Sequence, residues 1–366
     1  MKRLLCILSG MNVGGAETFL MKVYRNIDRL QYQMDFCINE KEKCFYEDEI
    51  LSMGGKVYRI PSKSENLKDF KKQLAEIIKI NGYGNVLRIT SNAMGFMDLK
   101  IAKMAGANVC CARSSNASDG YSLKLKIVHF LGRILFNKYV DIKIAPSDLA
   151  AKHTFGNKTY EDGKVNIIHN GVDLEIFKFY PEQRVRIRSE FGIDDGTKLV
   201  GHIGRFDEQK NHAFLIDIFA SMIEKDKNLK LLLVEKGNLQ DQIKEKAYKL
   251  GLSDKIIFAG FRNDIPYILS AMDVFVFPSF YEGMPNTVIE AQATGLPCII
   301  SDTITQEANI TGLVEYMSLG NADNWAMEAL KVVSSERIDT KELFIKNKYD
   351  IQSVTSEFVD KIFDCK

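Results

Sequence analysis

Short apolar runs of strand length alternate with amphipathic stretches along most of the chain. Helical periodicity is clearest at residues 67–80, 212–225 and 239–250, which lie between these runs. Buried strands that alternate with amphipathic helices predict an α/β fold with doubly wound parallel sheets. The predicted strands lie near residues 4–8, 34–38, 56–60, 85–89, 108–112, 142–145 and 165–168 in the first half, and near 199–203, 229–234, 256–259, 274–277, 297–300 and 313–316 in the second.

The alternation restarts after a break at residues 170–181, where Asn-Gly and Pro interrupt the segment HNGVDLEIFKFYPE. A length of 366 residues also favours two domains over one. We therefore predict two Rossmann-like domains, residues 1–175 and residues 176–350, with a ligand between them. A last helix is predicted at about residues 354–366.

The stretch FPSFYEGMPNTVIEAQATGLPCIISD predicts a strand end, a turn, a helix and a second strand. The helix is expected to begin near Asn286 or Thr287, with Asn286 as its N-cap, and to stop at Gly295. The turn and the helix N-terminus then lie at the carboxyl edge of a parallel sheet, where such folds bind ligands and backbone N–H groups suit phosphate. Glu282 and Glu290, with seven residues between them, are expected to face one cleft. The alternative is that both are solvated.

Two further segments supply groups that suit a phosphate. In LVGHIGRFDEQKNH, Arg205 follows a buried strand and Lys210 comes five residues later, so both are expected to point into the same cleft. The alternative is two exposed cations on a loop. Gly14 and Gly15 follow the first strand and precede a helix, which allows the backbone to approach a ligand closely. A plain turn is the alternative for this pair.

The Glu-x7-Glu spacing with Gly283 and Pro285, followed by EAQATGLPCIISD, resembles the donor-site signature of glycosyltransferase family 4. The Gly-Arg…Lys-Asn and GGAE segments are also similar to elements of that family. The resemblance implies a GT-B fold, with a last helix that returns to the first domain. It also implies a retaining, metal-independent enzyme that moves a sugar from a nucleotide donor, most often UDP-linked, to a glycan or polyprenyl-diphosphate-linked glycan in capsular or other surface polysaccharide synthesis.

The same resemblance assigns roles to individual residues. Glu290 would accept hydrogen bonds from the ribose hydroxyls, Glu282 would face the donor sugar, and the leaving phosphate would accept the acceptor's proton in a front-face attack. Catalytic roles fall to Glu282, Arg205 and Lys210. The donor-binding set is Gly14, Gly15, Arg205, Lys210, Phe261, Arg262, Glu282, Gly283, Met284, Pro285, Asn286, Thr287 and Glu290, and the acceptor-side set is Asn12, Arg113 and Ser114.

Two departures from the family pattern concern the sugar side of the site. Many relatives have a histidine in the region that here reads CCARSSNAS, where Arg113 and Ser114 stand instead. Relatives also usually have Gly-x-Gly where this chain has Glu235-Lys236-Gly237. The five histidines are dispersed, and we predict structural roles for all of them.

The residue inventory predicts neither a metal nor a cofactor. No two aspartates are separated by one residue, so the Asp-x-Asp element of many metal-dependent transferases is missing, and cations with backbone amides must stabilise the diphosphate. The seven cysteines are scattered and form no Cys-x2-Cys pair. Buried free thiols in a reducing cytoplasm are the expectation.

Charge is divided unevenly along the chain. Residues 1–175 carry 26 Lys+Arg against 19 Asp+Glu, a balance of +7, whereas the whole chain carries +1. This predicts an anionic partner for the first domain, a membrane surface or a phosphate-bearing acceptor, unless the excess is plain surface charge. The segment YSLKLKIVHFLGRILFNKY has four Lys/Arg and no acid, and predicts either an interfacial helix or a core helix with one cationic face. We expect a cytoplasmic protein, peripheral on the inner membrane face if the first alternative holds, without a nucleic-acid partner.

Two other functions remain open from the sequence. A non-hydrolysing nucleotide-sugar epimerase has the same architecture and needs no second sugar substrate. A non-catalytic protein that binds a nucleotide sugar would show neither transfer nor hydrolysis. A turnover assay with the donor alone discriminates between an epimerase and a transferase.

Overall fold

The computed structural model describes residues 1–115 and 123–365. The end of CCARSSNAS and the first residues of the basic apolar segment 121–139 lie outside the described residues. The chain divides into two compact units, one of residues 1–171 with residues 348 onward, and one of residues 172–347. The sequence-based boundaries, at residues 175/176 and 350, fall within a few residues of these positions.

The first unit is built on a seven-stranded parallel sheet with the strand order β3-β2-β1-β4-β5-β6-β7. The order reverses between β1 and β4, which is where ligands bind in open α/β sheets. Its elements are β1 Lys2–Ile7, α1 Gly15–Asn26, β2 Tyr32–Ile38, α2 Glu47–Ser52, β3 Val57–Arg59, α3 Leu67–Asn81, β4 Asn85–Thr90, α4 Phe96–Met104, β5 Val109–Ser114, α5 Leu123–Phe136, β6 Ile142–Ala145, α6 Asp148–Phe155, α7 Asn157–Glu161 and β7 Asn166–Ile167.

The second unit is built on a six-stranded parallel sheet with the strand order β10-β9-β8-β11-β12-β13, which reverses between β8 and β11. Its elements are α8 Pro181–Glu190, β8 Lys198–Ile203, α9 His212–Lys225, β9 Leu229–Val234, α10 Gln240–Lys249, β10 Ile256–Gly260, α11 Ile265–Ala271, β11 Val274–Phe277, α12 Asn286–Ala293, β12 Cys298–Ser301, β13 Val314–Met317, α13 Ala322–Val332 and α14 Lys341–Lys346.

The central strands are apolar because helices cover both faces of each sheet. In β1, Leu4 and Cys6 pack into one hydrophobic core, whereas Leu5 and Ile7 pack into a second core on the opposite face. A strand buried on both faces gives a continuous apolar run instead of alternation. All thirteen predicted strands are present, and their ends differ from the predictions by at most two residues.

The last helix, α15 Ile351–Phe358, continues into one π-helical turn, Val359–Phe363, and belongs to the first unit. It begins earlier than the sequence predicts because Asp350 caps it by accepting a hydrogen bond from the Ser353 N–H at 2.9 Å. The Phe358 ring packs edge-on against Phe19, with 6.0 Å between ring centroids.

The structure shows the state of the cysteines and the hydropathy of the helices. All seven cysteines are free thiols, and only Cys365 is exposed. Within residues 1–115 and 123–365, no helix has the length and hydropathy needed to cross a bilayer.

Candidate functional site

The loops that follow β8 and β11 are bonded to each other at the carboxyl edge of the second sheet. The Gln209 side-chain amide donates to the Tyr281 carbonyl at 2.8 Å, and the Phe280 N–H donates to the Gln209 carbonyl at 2.9 Å. The Asn211 side-chain amide donates to the Pro278 carbonyl at 3.2 Å. The two segments that the sequence identified separately therefore form one structure at the point of strand-order reversal.

Lys210 and Glu282 form a buried ion pair at the centre of this structure. The Lys210 Nζ lies 2.6 Å from Glu282 Oε1, and the side chains are 16% and 9% exposed. The ammonium also lies 4.9 Å from the centroid of the Phe277 ring. An ammonium has three N–H donors, so Lys210 retains donors for an anion while Glu282 holds it. The sequence predicted both residues in one site but not their contact.

The loop geometry explains why Lys210 points to this place. Asp207 accepts a hydrogen bond from the Lys210 N–H at 3.2 Å and so caps a short 3₁₀ turn, Glu208–Lys210. Asn211 then adopts a left-handed conformation with φ of +53°, which asparagine tolerates better than most residues, and α9 follows. The turn reverses the chain between β8 and α9 and fixes the start of the lysine side chain.

Arg205 lies at the same edge but on the surface. Its side chain is 75% exposed, and its Nε lies 3.8 Å from Asp207 Oδ2. An exposed pair of this kind contributes at most about 1 kcal/mol, so the guanidinium can leave Asp207 at little cost. The structure therefore places one predicted cation in a fixed position and the other in an adjustable one.

Helix α12 presents its N-terminus to this edge. Its N-cap is Pro285, which corrects the prediction of Asn286, because Asn286 already has helical geometry and opens the first turn. No side chain caps the helix and no acid lies in its first turn, so its dipole favours an anion. Glu290 is half-buried one turn in, and the remaining predicted residues Gly283, Met284, Asn286 and Thr287 are half-buried around the turn.

The two predicted donor-binding residues that follow β10 differ in their exposure and contacts. Phe261 is 50% exposed. Arg262 forms ion pairs with Asp264 at 2.8 Å and with Glu190 at 2.5 Å, and these carboxylates raise its pKa. The guanidinium therefore holds the loop to α8.

At the carboxyl edge of the first sheet, the glycine pair begins α1. Gly14 is the N-cap and Gly15 the first helical residue. A Cβ on Gly14 would lie 2.4 Å from Glu17 Oε2, so the carboxylate of Glu17 lies over the helix start. The predicted Asn12 is tied to the fold, since its Oδ1 accepts a hydrogen bond from the Phe45 N–H at 2.9 Å.

The structure corrects the expectation that Arg113 and Ser114 contact an acceptor. Arg113 is 1% exposed, donates to Asn170 Oδ1 at 2.8 Å and stacks 3.6 Å above the Phe19 ring. Burial lowers its pKa to about 9. The Ser114 hydroxyl lies 2.6 Å from that of Thr154. Both residues end a strand covered on both faces, so their side chains point inward.

Comparisons with known proteins identify the family of this chain. A family model described as "Glycosyl transferases group 1" matches residues 183–349. The chain is 36% identical over 351 residues to "Putative glycosyltransferase EpsF" of Bacillus subtilis, and the alignment covers 94% of this chain and 91% of that relative. The chain belongs to the group 1 glycosyltransferases. It is therefore a transferase with the GT-B fold of two Rossmann-like domains.

Two more distant proteins are also similar to this chain. An Escherichia coli relative named "UDP-Gal:alpha-D-GlcNAc-diphosphoundecaprenol alpha-1,3-galactosyltransferase" is 27% identical over 324 residues, with coverage of 84% of this chain and 83% of the relative. The crystal structure of Anabaena HepE in complex with UDP and glucose matches with a TM-score of 0.73 and 17% identity, covering 98% of this chain and 95% of that one. At this identity, the structural match shows the fold alone.

Where relatives usually have the first glycine of Gly-x-Gly, this group 1 glycosyltransferase has Glu235 in a backbone conformation typical of glycine. Glu235 has a φ of +107°, and its N–H donates to the Gly260 carbonyl at 2.8 Å. This conformation is strained for any residue other than glycine. Gly237 is required sterically, because a Cβ there would lie 2.4 Å from the Phe206 carbonyl oxygen.

Two histidines of the glycosyltransferase lie buried beneath the Lys210 loop. The His202 and His212 rings are 4.7 Å apart, and the His202 Nδ1 lies 2.8 Å from the Val276 carbonyl oxygen. Burial lowers the pKa of His212 to about 4 and that of His202 well below its ordinary value. Both are therefore neutral near pH 7 and pack as aromatic rings.

Sequence reasoning missed a cavity of about 370 Å³ in the first unit, at the point where the strand order reverses. It is lined by Lys63, which follows β3, by Arg88 of β4, and by residues after β1, β4 and β5. The side chains come from separate parts of the sequence, so no local pattern indicated them. Within the described residues, no group of three or more His, Cys, Asp or Glu side chains is arranged to hold a metal ion.

Proposed function

We propose that this group 1 glycosyltransferase transfers a sugar, with retention and without a metal, from a UDP-sugar to a glycan or polyprenyl-diphosphate-linked glycan during surface polysaccharide synthesis. The observation that carries the proposal is the Lys210–Glu282 pair beside the uncapped N-terminus of α12. The name of the Escherichia coli relative supports the donor and acceptor classes, since it specifies UDP-Gal and a diphosphoundecaprenol-linked sugar.

The proposed chemistry follows from where charge develops. As the bond from the anomeric carbon to the diphosphate breaks, negative charge grows on the leaving oxygen. The Lys210 ammonium is held in place before the reaction, and the N–H groups at the start of α12 add fixed dipoles, so little reorganisation is needed. Arg205 moves from Asp207 to the phosphates. The leaving phosphate then accepts the proton of the attacking hydroxyl.

The two glutamates have different roles in this scheme. Glu282 holds Lys210 and lies next to the sugar, where cationic character develops at the anomeric carbon. Glu290 accepts hydrogen bonds from the ribose hydroxyls, which change little during the reaction. A group that binds ground and transition states equally affects KM, and a group that binds the transition state more strongly affects kcat.

A transfer assay in excess EDTA tests the proposal. Purified enzyme is incubated with a panel of UDP-sugars and polyprenyl-diphosphate-linked acceptors, and the product's anomeric configuration is determined by NMR. We expect transfer with retention at an unchanged rate in EDTA. A strict requirement for manganese or magnesium contradicts the metal-free assignment, and conversion of the donor alone to an epimer supports the epimerase alternative.

We also propose that α5 rests on an anionic membrane surface. Helix α5 exposes apolar side chains at the helical spacing i, i+3, i+4, i+7, namely Ile127, Phe130, Leu131 and Ile134. Its opposite face packs on the unit: the His129 Nδ1 accepts a hydrogen bond from the Ala93 N–H at 3.2 Å, and a Cβ on Gly132 would lie 2.5 Å from the Met94 nitrogen.

Charge complementarity selects the membrane as the occupant of this apolar face. Lys126 and Lys138 are exposed beside it, Arg133 is half-exposed, and the sequence has no acid between residues 121 and 139. An apolar stripe flanked by cations suits a surface of anionic lipid, and each cation near such a surface contributes about 1 kcal/mol. These features support the interfacial alternative for this segment.

Vesicle sedimentation tests the membrane proposal. We expect the protein to bind vesicles that contain phosphatidylglycerol at low salt and to dissociate at high salt, because salt screens the attraction. Phe130→Ser should weaken binding, whereas Ile80→Ser, at a position 82% exposed on α3, should not. Equal binding to neutral and anionic vesicles contradicts the electrostatic part, and a dimer in lipid-free solution that Phe130→Ser dissociates assigns the face to a second copy of the chain.

A further inference from the structure

The cavity of the first unit contains a cluster of two cations and one buried carboxylate. Asp98 of α4 is fully buried. Its carboxylate oxygens lie 2.5 Å from the Lys63 Nζ and 3.0 Å from the Arg88 Nε. Lys63 and Arg88 line the cavity, and Asp98 lies behind them. The cluster therefore presents its cationic side to the cavity and carries one positive charge more than its carboxylate neutralises.

The contacts of the two cations fix their positions at the wall. The Arg88 Nη1 donates to the Ile7 carbonyl at 3.0 Å, and the Lys63 ammonium lies 5.2 Å from the centroid of the Phe70 ring. The side chains are only 26% (Lys63) and 14% (Arg88) exposed. Burial lowers the pKa of Lys63, with Arg88 acting in the same direction and Asp98 opposing it. An anion bound beside Lys63 would offset this cost.

The remainder of the wall suits a sugar. Hydroxyl and amide side chains line it from the ends of three neighbouring strands, namely Ser9, Thr90, Ser91, Asn92 and Ser115. Glu17 is the one carboxylate that lines the described cavity, and burial raises its pKa. The place where strand order reverses is also the expected ligand position in an open parallel sheet.

We propose that this cavity binds an acidic group of the acceptor, with Lys63 and Arg88 as the anion contacts and Asp98 as their buried counter-ion. The inference rests on the proposed function, because it names the chemical class of the acceptor. The shared chemistry is a compact oxyanion, which either the diphosphate of a lipid-linked sugar or the carboxylate of an acidic sugar supplies. Both accept charge-assisted hydrogen bonds from an ammonium and a guanidinium.

Thermal unfolding with small anionic probes tests the cavity directly. Saturating UDP occupies the proposed donor site, and the melting temperature is followed as pyrophosphate, glucuronate or neutral glucose is added. We expect a saturable rise with at least one anion and none with glucose. A rise with pyrophosphate identifies the diphosphate as the source, and a rise with glucuronate identifies the carboxylate.

Two variants with opposite expected effects separate an anion site from a purely structural ion cluster. Lys63→Met should weaken anion binding by about tenfold or more, because it removes one charge-assisted contact. Asp98→Asn should bind the anion more tightly and be less stable without it, since the internal competitor for the cations is gone. Lys71→Met, at an exposed position of α3, is the matched control and should behave like the wild type.

The outcomes distinguish this inference from the proposed function. If neither anion raises the melting temperature, or if the rise is the same in wild type, Lys63→Met and Asp98→Asn, the cavity is not an anion site. If Lys63→Met does not fold, the sign of the Asp98→Asn effect decides. Failure of UDP to bind counts against the proposed donor site, whereas the difference between wild type and Lys63→Met still tests the cavity.

Discussion

Each of the two sheets holds a lysine beside a buried carboxylate at the edge where its strand order reverses. In the second unit Lys210 lies 2.6 Å from Glu282, and in the first unit Lys63 lies 2.5 Å from Asp98. The two pairs differ in construction. Glu282 stands on the loop of an adjacent strand and is within a segment of recognisable sequence, whereas Asp98 stands in a helix and is joined by a second cation, Arg88.

Under the proposed function, the two pairs belong to the donor half and the acceptor half of the reaction. The group 1 model matches residues 183–349, and all of these except the last two lie within the second unit. Every donor of the proposed class has the same diphosphate and ribose, so one arrangement of loops serves many enzymes. Acceptors differ, and the cavity with Lys63 and Arg88 is where this chain would adapt to its own.

We call the carboxyl edge of the first sheet the first edge and that of the second sheet the second edge. Among substitutions at the second edge, replacing Lys210 should have the largest effect. Lys210→Met removes a preorganised cation and should lower transfer by about 10²-fold or more. It also leaves Glu282 buried without its partner, which should lower the free energy of unfolding by about 3 kcal/mol. Urea unfolding and a transfer assay measure the two effects.

A second substitution separates stability from function. Lys210→Met combined with Glu282→Gln should regain most of the lost stability but none of the activity, since the buried charge is gone while the cation is still missing. Lys63→Met should leave UDP affinity unchanged. If Lys63→Met lowers the affinity for UDP and Lys210→Met does not, UDP binds at the first edge and the assignment of the two edges must be exchanged.

The buried histidine beneath the second edge should make the unit acid-sensitive. The pKa of His212 is about 4 in the fold, against 6.5 for the exposed group, so the unfolded chain binds more protons between these values. The free energy of unfolding should therefore fall as the pH drops from about 6.5 to about 4, by up to about 3 kcal/mol. His212→Phe, which keeps a ring against Phe206, should lose this part of the pH dependence.

Denaturant unfolding of both proteins at several pH values measures the effect. Carboxylates distant from His212 titrate equally in the two proteins, so the difference between them reports His212 and the groups coupled to it, namely Asp207 and His202. A difference that stays constant from pH 4 to pH 7 contradicts the prediction.

The strained position of the second edge should give the smallest effect, with the opposite sign. Glu235→Gly relieves a left-handed conformation and should raise the free energy of unfolding by about 1 kcal/mol. Lys236→Gly, at a neighbouring position where φ is not positive, should be neutral or destabilising. A loss of stability in Glu235→Gly would mean that its side chain makes contacts that outweigh the strain.

The strands and the loops of the second edge were predictable because each is marked by a local sequence pattern. Apolar runs mark strands buried on both faces, and the segments around Arg205 and Glu282 each combine a strand end, a turn and a helix start. The contact of Lys210 with Glu282 was not predictable, since it depends on β8 and β11 being neighbours, which is a property of the sheet order.

The first edge was predicted less well for the same reason. The family resemblance pointed to Arg113 and Ser114 because they stand where many relatives have a histidine, but a strand end in the centre of a covered sheet can bury both of its faces. Lys63, Arg88 and Asp98 lie on three separate elements, and only the fold brings them together. For α5 the sequence left two alternatives open, and the exposure of its apolar stripe is a property of the packing that the sequence does not give.

Calorimetric titration of UDP into the wild type, Glu290→Gln and Glu282→Gln tests the central claim, that the second edge binds the donor nucleotide through roles divided between these two glutamates. It requires no knowledge of the acceptor. We predict that Glu290→Gln weakens UDP by about tenfold, since it removes a charged acceptor from the ribose hydroxyls. Glu282→Gln should leave UDP affinity nearly unchanged while lowering kcat by about 10²-fold. Loss of UDP binding in Glu282→Gln with normal binding in Glu290→Gln would reverse the two roles, and unchanged binding and turnover in both would contradict the assignment of this edge as the donor site.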